Sequence, residues 1–453
     1  MKKIILLILL SFIIIGCEDN IKTNIETPQK EEKNHYVLGS DNDVYRINIT
    51  TENNEFPTSL ETYINGNLNI TEQNTNNVLL DDKQMKIRVR GNSTSAPDKK
   101  PFKIKFNKAQ SLFGLKAAKD WVLLANYYDK SNIRNYLAYQ LANKLDNLNY
   151  QPSCIFVDVY VNNDYLGLYT LSEQIEANKG RVDIENDFNE DGISSFLIEA
   201  DIRAIDEYKG YENSCYIPLE GYALKFEYPD CDDYVEAISN NDSTFINSYK
   251  KDVQWANDFL NKLTVELKTN DYNSFSKYID IDSFIDYYLI QEFFKNVDVA
   301  STSQFYYIKQ NENPKLSCGP VWDFDISGGV VDDSQGDGYI YYHNTKLFVR
   351  ERDSFYRLLF KNETFLNKVK ERYKEIRKIF ISVFDQITEL ENVLKEAQKR
   401  NIDKWKLPKT RRNWIEKNAI SKDYYRLRTI DEHYQYLSDF LTYRLLILDQ
   451  PYL

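Results

Sequence analysis

Residues 281–329 read IDSFIDYYLIQEFFKNVDVASTSQFYYIKQNENPKLSCGPVWDFDISGG, and the pattern of this stretch indicates how the surrounding chain is organised. The first part repeats apolar residues at the spacing of one helix face, which predicts a helix that Asp280 or Asp282 caps. Two β-rich runs follow, 304–309 and 316–322, separated by Asn and Pro residues that favour a turn. The order therefore predicts a helix followed by a β-hairpin.

Three aspartates lie at the ends of these elements. Asp298 follows the helix, while Asp323 and Asp325 follow the second run, so the hairpin would bring all three to its open end. Convergent carboxylates repel one another unless a divalent cation or a shared proton lies between them. Protein kinases place a catalytic-loop Asp and a magnesium-binding Asp in a similar layout. The alternative interpretation is that the three aspartates are ordinary turn residues.

Composition limits the possible partners and chemistries. The chain has 453 residues, enough for one large domain or two closely packed ones, and a net charge of −12. This acidic balance argues against a nucleic-acid partner. The sequence has only three histidines, His35, His343 and His433, and none lies near a cysteine at ligand spacing. The pattern therefore favours neither a zinc site nor a catalytic triad.

The amino terminus predicts export and lipidation. Lys2 and Lys3 precede a short apolar run and then Gly16-Cys17, which resembles the bacterial lipobox. We therefore expect a lipoprotein signal peptide over 1–16, lipidation of Cys17 and a polar tether over 17–34. The protein would be a membrane-anchored lipoprotein of the cell envelope that faces away from the cytoplasm. The alternative is a plain secretory signal with a chance cysteine.

The body of the chain changes character near residue 230. Alternating patterns before this point predict strands, including a hairpin over 155–171, and an amphipathic helix is predicted over 129–145. Helical patterns dominate afterwards. We expect an α+β, two-lobed fold with a β-rich amino-terminal lobe over 35–230, a helix-rich carboxy-terminal lobe over 231–453, and a cleft between them.

The remaining cysteines divide by context. Cys215 and Cys231 lie in loop-like sequence and could pair in an exported protein, while Cys154 and Cys318 border apolar strands and are expected to be buried thiols. A separate loop of small residues, 91–101, could cradle phosphates through its backbone N–H groups or be an ordinary turn.

Several stretches together resemble the CotH kinase family of atypical protein kinases, first named from a bacterial spore coat protein. They occur in the family's order and extend over roughly residues 40–449. The matching stretches are Arg90–Ser93, Lys99–Phe106, Trp121–Asn126, Ile133–Asn135, Gly167–Gln174, Asn296–Asp298, Gly319–Asp325 and Tyr443–Arg444.

The resemblance implies an atypical protein-kinase-like fold that uses ATP and Mg²⁺. Asp298 would accept or orient the proton of the attacking hydroxyl. Asp323 would hold Mg²⁺, with Asp325 as a second ligand or its orienter. Lys100 would pair with phosphate and be fixed by Glu173.

Other basic and polar residues have implied roles in the same cleft. Lys99, Lys103 and Lys105 are rivals to Lys100 as the phosphate-pairing lysine. Additional residues would contact phosphate, line the cleft or add positive charge, namely Arg90, Asn92, Ser93 and Arg134.

Two functions from different classes follow. The first is a kinase that transfers phosphate from ATP to Ser or Thr hydroxyls of exported proteins. The second is a surface-anchored adhesion or assembly lipoprotein with a vestigial kinase fold. A third interpretation, in which Asp323 and Asp325 form the metal motif of a glycosyltransferase, lacks the accompanying nucleotide-binding βαβ order.

Overall fold

The amino-terminal part of the chain folds into a closed barrel of seven strands. The strands are β1 (Tyr45–Thr51), β2 (Ile64–Thr71), β3 (Val78–Val89), β4 (Phe102–Gln110), β5 (Ala118–Leu124), β6 (Cys154–Val161) and β7 (Asp164–Glu173). Their order is β1-β2-β3-β4-β5-β7-β6, and the barrel closes because β6 pairs in parallel with β1, from Tyr45 opposite Val157 to Ile49 opposite Val161. This computed structural model describes residues 37–184, 195–219, 222–309, 311–331, 346–407 and 413–453.

Strand alternation fills the barrel interior. In β4, Phe102, Ile104 and Phe106 are buried, while Lys103 and Lys105 between them are partly exposed. Successive side chains of a strand point to opposite faces, so this sequence can line only one side of the sheet with apolar groups. The sequence predicted strands here but not the closure of the barrel, which depends on pairing between strands more than 100 residues apart.

A second sheet has five strands, β8 (Phe196–Ala200), β9 (Tyr216–Leu219), β10 (Tyr222–Tyr228), β11 (Gln304–Ile308) and β12 (Ser317–Cys318). Their order in the sheet is β12-β11-β8-β10-β9. The sheet joins strands from both sides of the expected boundary at residue 230. The described residues all belong to one compact unit, 35–453, and the boundary itself stays a prediction.

Helices dominate the second half, so the expectation of an α+β chain that is first β-rich and then helix-rich is confirmed. The helices are α1 (Arg134–Asn143), α2 (Ala204–Glu207), α3 (Cys231–Asn240), α4 (Ser243–Thr269), α5 (Tyr272–Phe275), α6 (Ile281–Phe294), α7 (Val349–Arg352), α8 (Ser354–Leu359), α9 (Glu363–Val393), α10 (Lys395–Trp405), α11 (Trp414–Asn418), α12 (Lys422–Arg426) and α13 (Ile430–Tyr452). Within the part of the chain that the structure describes, no helix is both long and apolar enough to span a bilayer.

The helix and hairpin predicted over 281–322 are present. The Asp280 side chain caps α6 by accepting a hydrogen bond from Ser283 N. The strands β11 and β12 pair in antiparallel fashion, although β12 has only two residues. Pro320 follows closely and has no N–H for a ladder, which accounts for the short strand.

The helix predicted over 129–145 is shorter than expected. It begins at Arg134, because the Asp129 carboxylate accepts hydrogen bonds from Ser131 N and Arg134 N and holds the preceding residues in a turn. Short polar side chains that bind nearby backbone N–H groups compete with helix in this way.

The cysteines are arranged as the sequence predicted. Cys215 and Cys231 form a disulfide, and Cys154 and Cys318 are buried free thiols. The predicted signal peptide (1–16), Cys17 and the tether (17–34) lie outside the described residues.

Candidate functional site

A cavity of about 580 Å³ lies where the barrel, the second sheet and the turns after α6 and β12 meet. Asp298, Asp323 and Asp325 all line it, so the expectation that the hairpin brings these three residues to one place is confirmed. A volume of this size is typical of small-molecule sites.

Asp298 lies in a tight turn directly after α6. Its carbonyl oxygen accepts hydrogen bonds from Ser301 N and Thr302 N, both at 3.0 Å. Lys295, at the end of α6, has a φ of 45° and so turns the chain away from the helix axis. The turn therefore fixes the backbone of Asp298 and leaves its side chain in the cavity wall.

Asp323 has a φ of 59°, a left-handed conformation that is uncommon outside glycine but tolerated by Asp. The next residue is anchored on both sides: Phe324 N donates to Asn135 Oδ1 at 2.7 Å, and the Phe324 ring packs edge-on against Phe294 at 5.4 Å. Burying Phe324 thus places the flanking Asp323 and Asp325 on the cavity.

Asn296 connects the two acidic segments. Its Oδ1 accepts a hydrogen bond from Asp298 N at 3.2 Å, and its Nδ2 donates to the Asp323 carbonyl at 3.2 Å. A single side-chain amide thus fixes the spacing between Asp298 and Asp323. Asn296 lies in one of the stretches that resemble the CotH kinase family, but no role was predicted for it.

The carboxylates share an unfavourable electrostatic environment. Burial raises the pKa of Asp298, and the charge of Asp323 raises it further. Burial also raises the pKa of Asp323, against the opposing effect of Arg90. The pKa of Asp325 is raised well above its usual value by burial and then by Asp323 and Asp298. A side-chain hydrogen bond between the two carboxyl groups raises the pKa of Asp325 and lowers that of Asp323.

Arginines supply the positive charge at this site. Arg90 and Arg203 are the basic residues among the described residues that line the cavity. The Arg90 guanidinium lies 5.8 Å from the centre of the Trp322 ring, and Arg203 forms two hydrogen bonds of 2.7 Å with Asp201. Arg352 donates to Ser301 Oγ at 2.9 Å and opposes the rise in the pKa of Asp298.

Asn92 and Ser93 line the cavity beside Arg90, as expected. The expected pair of Lys100 with Glu173 is not formed. Lys100 Nζ instead donates to the carbonyl oxygens of Ser95 and Ala96.

Glu173 has other partners. It binds Arg181 Nη1 at 2.6 Å and accepts a hydrogen bond from Ser153 N at 2.9 Å. The prediction that Glu173 fixes Lys100 is therefore wrong, because the Glu173 carboxylate forms its ion pair with Arg181, eight residues further along the chain.

Arg134 does not line the cavity either. It is fully buried, pairs with Asp129, and donates to the carbonyl oxygens of Ser327 and Gly328 at 3.0 Å each. It therefore holds the loop after Asp325 in place instead of adding charge to the cavity.

The rival lysines are also engaged elsewhere. Lys99 is buried and donates to the Leu168 carbonyl at 2.6 Å. Lys103 and Lys105 both lie near Asp120, at 3.2 and 3.9 Å. None of the four candidate lysines is among the described residues that line the cavity.

Further polar residues of the site were not identified from the sequence. Glu199 lines the cavity and accepts a hydrogen bond from Ser303 N at 3.0 Å, while burial and then Glu227 raise its pKa to about 8. Asn135 Nδ2 donates to Asn126 Oδ1 at 3.1 Å, which links the barrel to the segment around Asp323. Asn126 and Asn135 belong to two of the stretches that resemble the CotH kinase family, and this resemblance was the only feature of the sequence that pointed to them.

The donor set suits Mg²⁺ only in part. Among the described residues, no group of three or more His, Cys, Asp or Glu is placed to hold a metal ion, so the three aspartates do not form a site by themselves. Mg²⁺ is, however, usually held by one or two carboxylates together with phosphate oxygens and water. Asp323 and Asp325 can supply these carboxylates, so they fit Mg²⁺ that binds together with a phosphate compound.

Fold and cavity define an α+β protein with a site that combines clustered carboxylates with arginine side chains. The protein-family model described as CotH kinase protein matches residues 87–448, which include every residue of the site. The chain therefore belongs to the CotH kinase family. No curated protein matches it significantly.

Proposed function

We propose that this protein is an ATP- and Mg²⁺-dependent protein kinase that phosphorylates Ser or Thr hydroxyls of exported proteins. The observation that carries the proposal is that Asp298, Asp323 and Asp325 line one cavity with Arg90 and Arg203. Phosphate transfer requires positioning and neutralisation of phosphate charge, for which carboxylates that can hold Mg²⁺ and neighbouring guanidinium groups are suitable. In this proposal the barrel and the helices correspond to the two lobes of a kinase-like fold.

The residues divide the chemistry between them. The acceptor hydroxyl oxygen forms a bond to the γ-phosphorus, the bond from that phosphorus to the leaving ADP oxygen breaks, and Asp298 takes the hydroxyl proton. Asp323 and Asp325 would hold Mg²⁺, which when bound neutralises phosphate charge. Asn296 keeps Asp298 and Asp323 at a fixed spacing.

In this function Arg90, and not Lys100, pairs with the nucleotide phosphates. We expect Arg90→Gln to weaken binding of ATP with Mg²⁺ by about 10- to 100-fold, because a charge-assisted hydrogen bond contributes about 1.5–3 kcal/mol. Lys100→Gln should change the affinity by less than about twofold, since its ammonium group binds carbonyl oxygens of its own loop. Isothermal titration of each variant measures both values.

The melting temperature of each variant without nucleotide serves as the folding control. An equal loss of affinity in both variants would contradict the assignment of Arg90. If ATP with Mg²⁺ neither binds nor raises the melting temperature of the wild-type protein, the kinase proposal fails and an adhesion role becomes the better account.

We also propose that the protein is a lipoprotein of the cell envelope, anchored through Cys17. The apolar run before Gly16-Cys17 supports this proposal. Cells that express the wild-type chain should incorporate a labelled fatty acid into the protein, and Cys17→Ser should abolish the label. Labelling of the variant at the wild-type level would exclude Cys17 as the lipidated residue.

A further inference from the structure

We propose that a second cavity, separate from the aspartate site, binds an anion that carries two or more phosphate groups. The cavity measures about 750 Å³ and shares none of its lining residues with the aspartate site. Its walls come from the end of β9, from α4, α7 and α8, and from the turn after α8. The described residues that line it with charged side chains are Lys268, Arg350, Glu351, Arg357 and Lys361.

The charge of this cavity is opposite to that of the protein. Of the residues that the structure describes, four basic ones and one acidic one line it, whereas the chain as a whole has a net charge of −12. Lys268 and Lys361 form no salt bridge with any described residue. Arg350 pairs at 3.2 Å with Glu351, its neighbour in sequence, whose side chain is mostly exposed. The cavity thus holds at least two lysine charges, those of Lys268 and Lys361, that no described carboxylate pairs with.

The backbone holds these cations together in spite of their repulsion. Asn270 Nδ2 donates to the Lys361 carbonyl at 3.4 Å, and Asn362 Nδ2 donates to the Asn270 carbonyl at 2.8 Å. These two bonds join the end of α4 to the turn before α9. Asp353 fixes α8 by accepting hydrogen bonds from Phe355 N and Tyr356 N. The cavity walls are therefore pre-organised, which reduces the cost of binding a ligand.

The helix dipole offers a simpler explanation for why each helix ends in a basic residue. Lys268, Arg350 and Arg357 lie in the last turns of α4, α7 and α8, where a positive charge favours the helix. This effect needs one cation per helix and does not require the three helix ends to open onto one cavity. It also leaves Lys361, which lies beyond α8, unexplained.

The residue types favour phosphate as the ligand group. Arginine binds phosphate through a planar fork of donors, and lysine adds a point charge. The cations lie on several walls of a cavity whose volume exceeds that of a single phosphate ion. A chain of phosphate groups can reach them together, which is why an oligophosphate is the expected ligand class.

Titration with tripolyphosphate at fixed ionic strength tests this proposal. We expect saturable binding to the full chain, and we expect the double variant K268Q/K361Q to weaken it at least about tenfold, since two charge-assisted contacts are lost. Orthophosphate should bind much more weakly than tripolyphosphate. The variant K374Q/K395Q, which changes the net charge equally at exposed positions outside both cavities, should bind like the wild type.

The aspartate site also contains arginines, so Arg203→Gln is the second control. Tripolyphosphate binding that survives Arg203→Gln and is lost in K268Q/K361Q supports the second cavity. Binding that is lost only in Arg203→Gln, that is equal in K268Q/K361Q and the wild type, or that does not saturate overturns it. This result is independent of whether the protein transfers phosphate from ATP.

Discussion

Asp298→Asn is expected to reduce phosphate transfer from ATP by about a thousandfold while the protein remains folded. The substitution keeps the shape of the side chain and removes the carboxylate that takes the hydroxyl proton, and such general-base contributions amount to about 10²–10⁴-fold. Asn296 Oδ1 accepts a hydrogen bond from Asp298 N, and the Asp298 carbonyl accepts hydrogen bonds from Ser301 N and Thr302 N. These contacts involve the backbone of Asp298, which the substitution leaves unchanged. Transfer of labelled phosphate to a panel of Ser- and Thr-containing proteins measures the loss.

The same substitution should raise the stability of the protein at neutral pH. Burial and Asp323 raise the folded-state pKa of Asp298, so folding favours its protonated form. The contribution of such a group to the free energy of unfolding is fully present below the carboxyl pKa of the unfolded chain, about 4. It is lost as the pH rises through the higher folded-state pKa. The wild type should lose stability over this range, and Asp298→Asn should show a smaller loss.

Asp385→Asn is the matched control, since Asp385 is an exposed aspartate of α9 outside the cavity. It should change neither phosphate transfer nor the pH dependence of unfolding. Transfer by Asp298→Asn within threefold of the wild type would contradict the role of Asp298. A loss of transfer accompanied by unfolding would leave the stability prediction wrong.

Arg444→Met should lower the free energy of unfolding by about 3–5 kcal/mol, the usual cost of removing one partner from a buried ion pair. Arg444 and Glu292 are both fully buried and lie 2.7 Å apart, and Arg444 also donates to the Glu292 carbonyl. The Glu292 carboxylate accepts further hydrogen bonds from Phe348 N and Val349 N. The substitution would thus leave a buried carboxylate without its cation where α6, α7 and α13 meet.

Urea denaturation of the wild type, Arg444→Met and the double variant with Glu292→Gln measures this effect. The double variant should be less destabilised than the sum of the single changes, because it removes the unpaired charge. Arg426→Met provides the control, since Arg426 pairs with Asp423 and both side chains are exposed. It should cost less than about 1 kcal/mol. A similar cost for Arg426→Met and Arg444→Met would contradict the predicted importance of burial.

Local patterns were sufficient for the elements that carry the acids. The helix from Ile281, its Asp280 cap and the hairpin that follows depend on residues close together in sequence, so periodicity and turn chemistry predicted them. The family resemblance then implied catalytic and metal-binding roles for Asp298, Asp323 and Asp325, and the structure brings all three residues to one cavity.

The partners of the basic residues could not be obtained in this way. Lys100 and Glu173 have opposite charges and lie in stretches that resemble the family, yet Glu173 forms its ion pair with Arg181. Arg134 likewise binds the backbone of the loop at Ser327 and not a phosphate site. Which cation meets which anion depends on side-chain direction and burial across elements that are distant in sequence.

Local sequence patterns were enough to predict an α+β chain with a β-rich first half, a helical second half and three aspartates at the ends of neighbouring elements. These features follow from periodicity, capping and turn residues, which act over a few positions. Long-range packing was needed to establish that the barrel closes, that Arg203 joins Arg90 at the acidic cavity, and that Lys268, Arg350, Arg357 and Lys361 line a second cavity. Contacts between distant segments are fixed by packing and desolvation of the whole fold, and no local pattern records them.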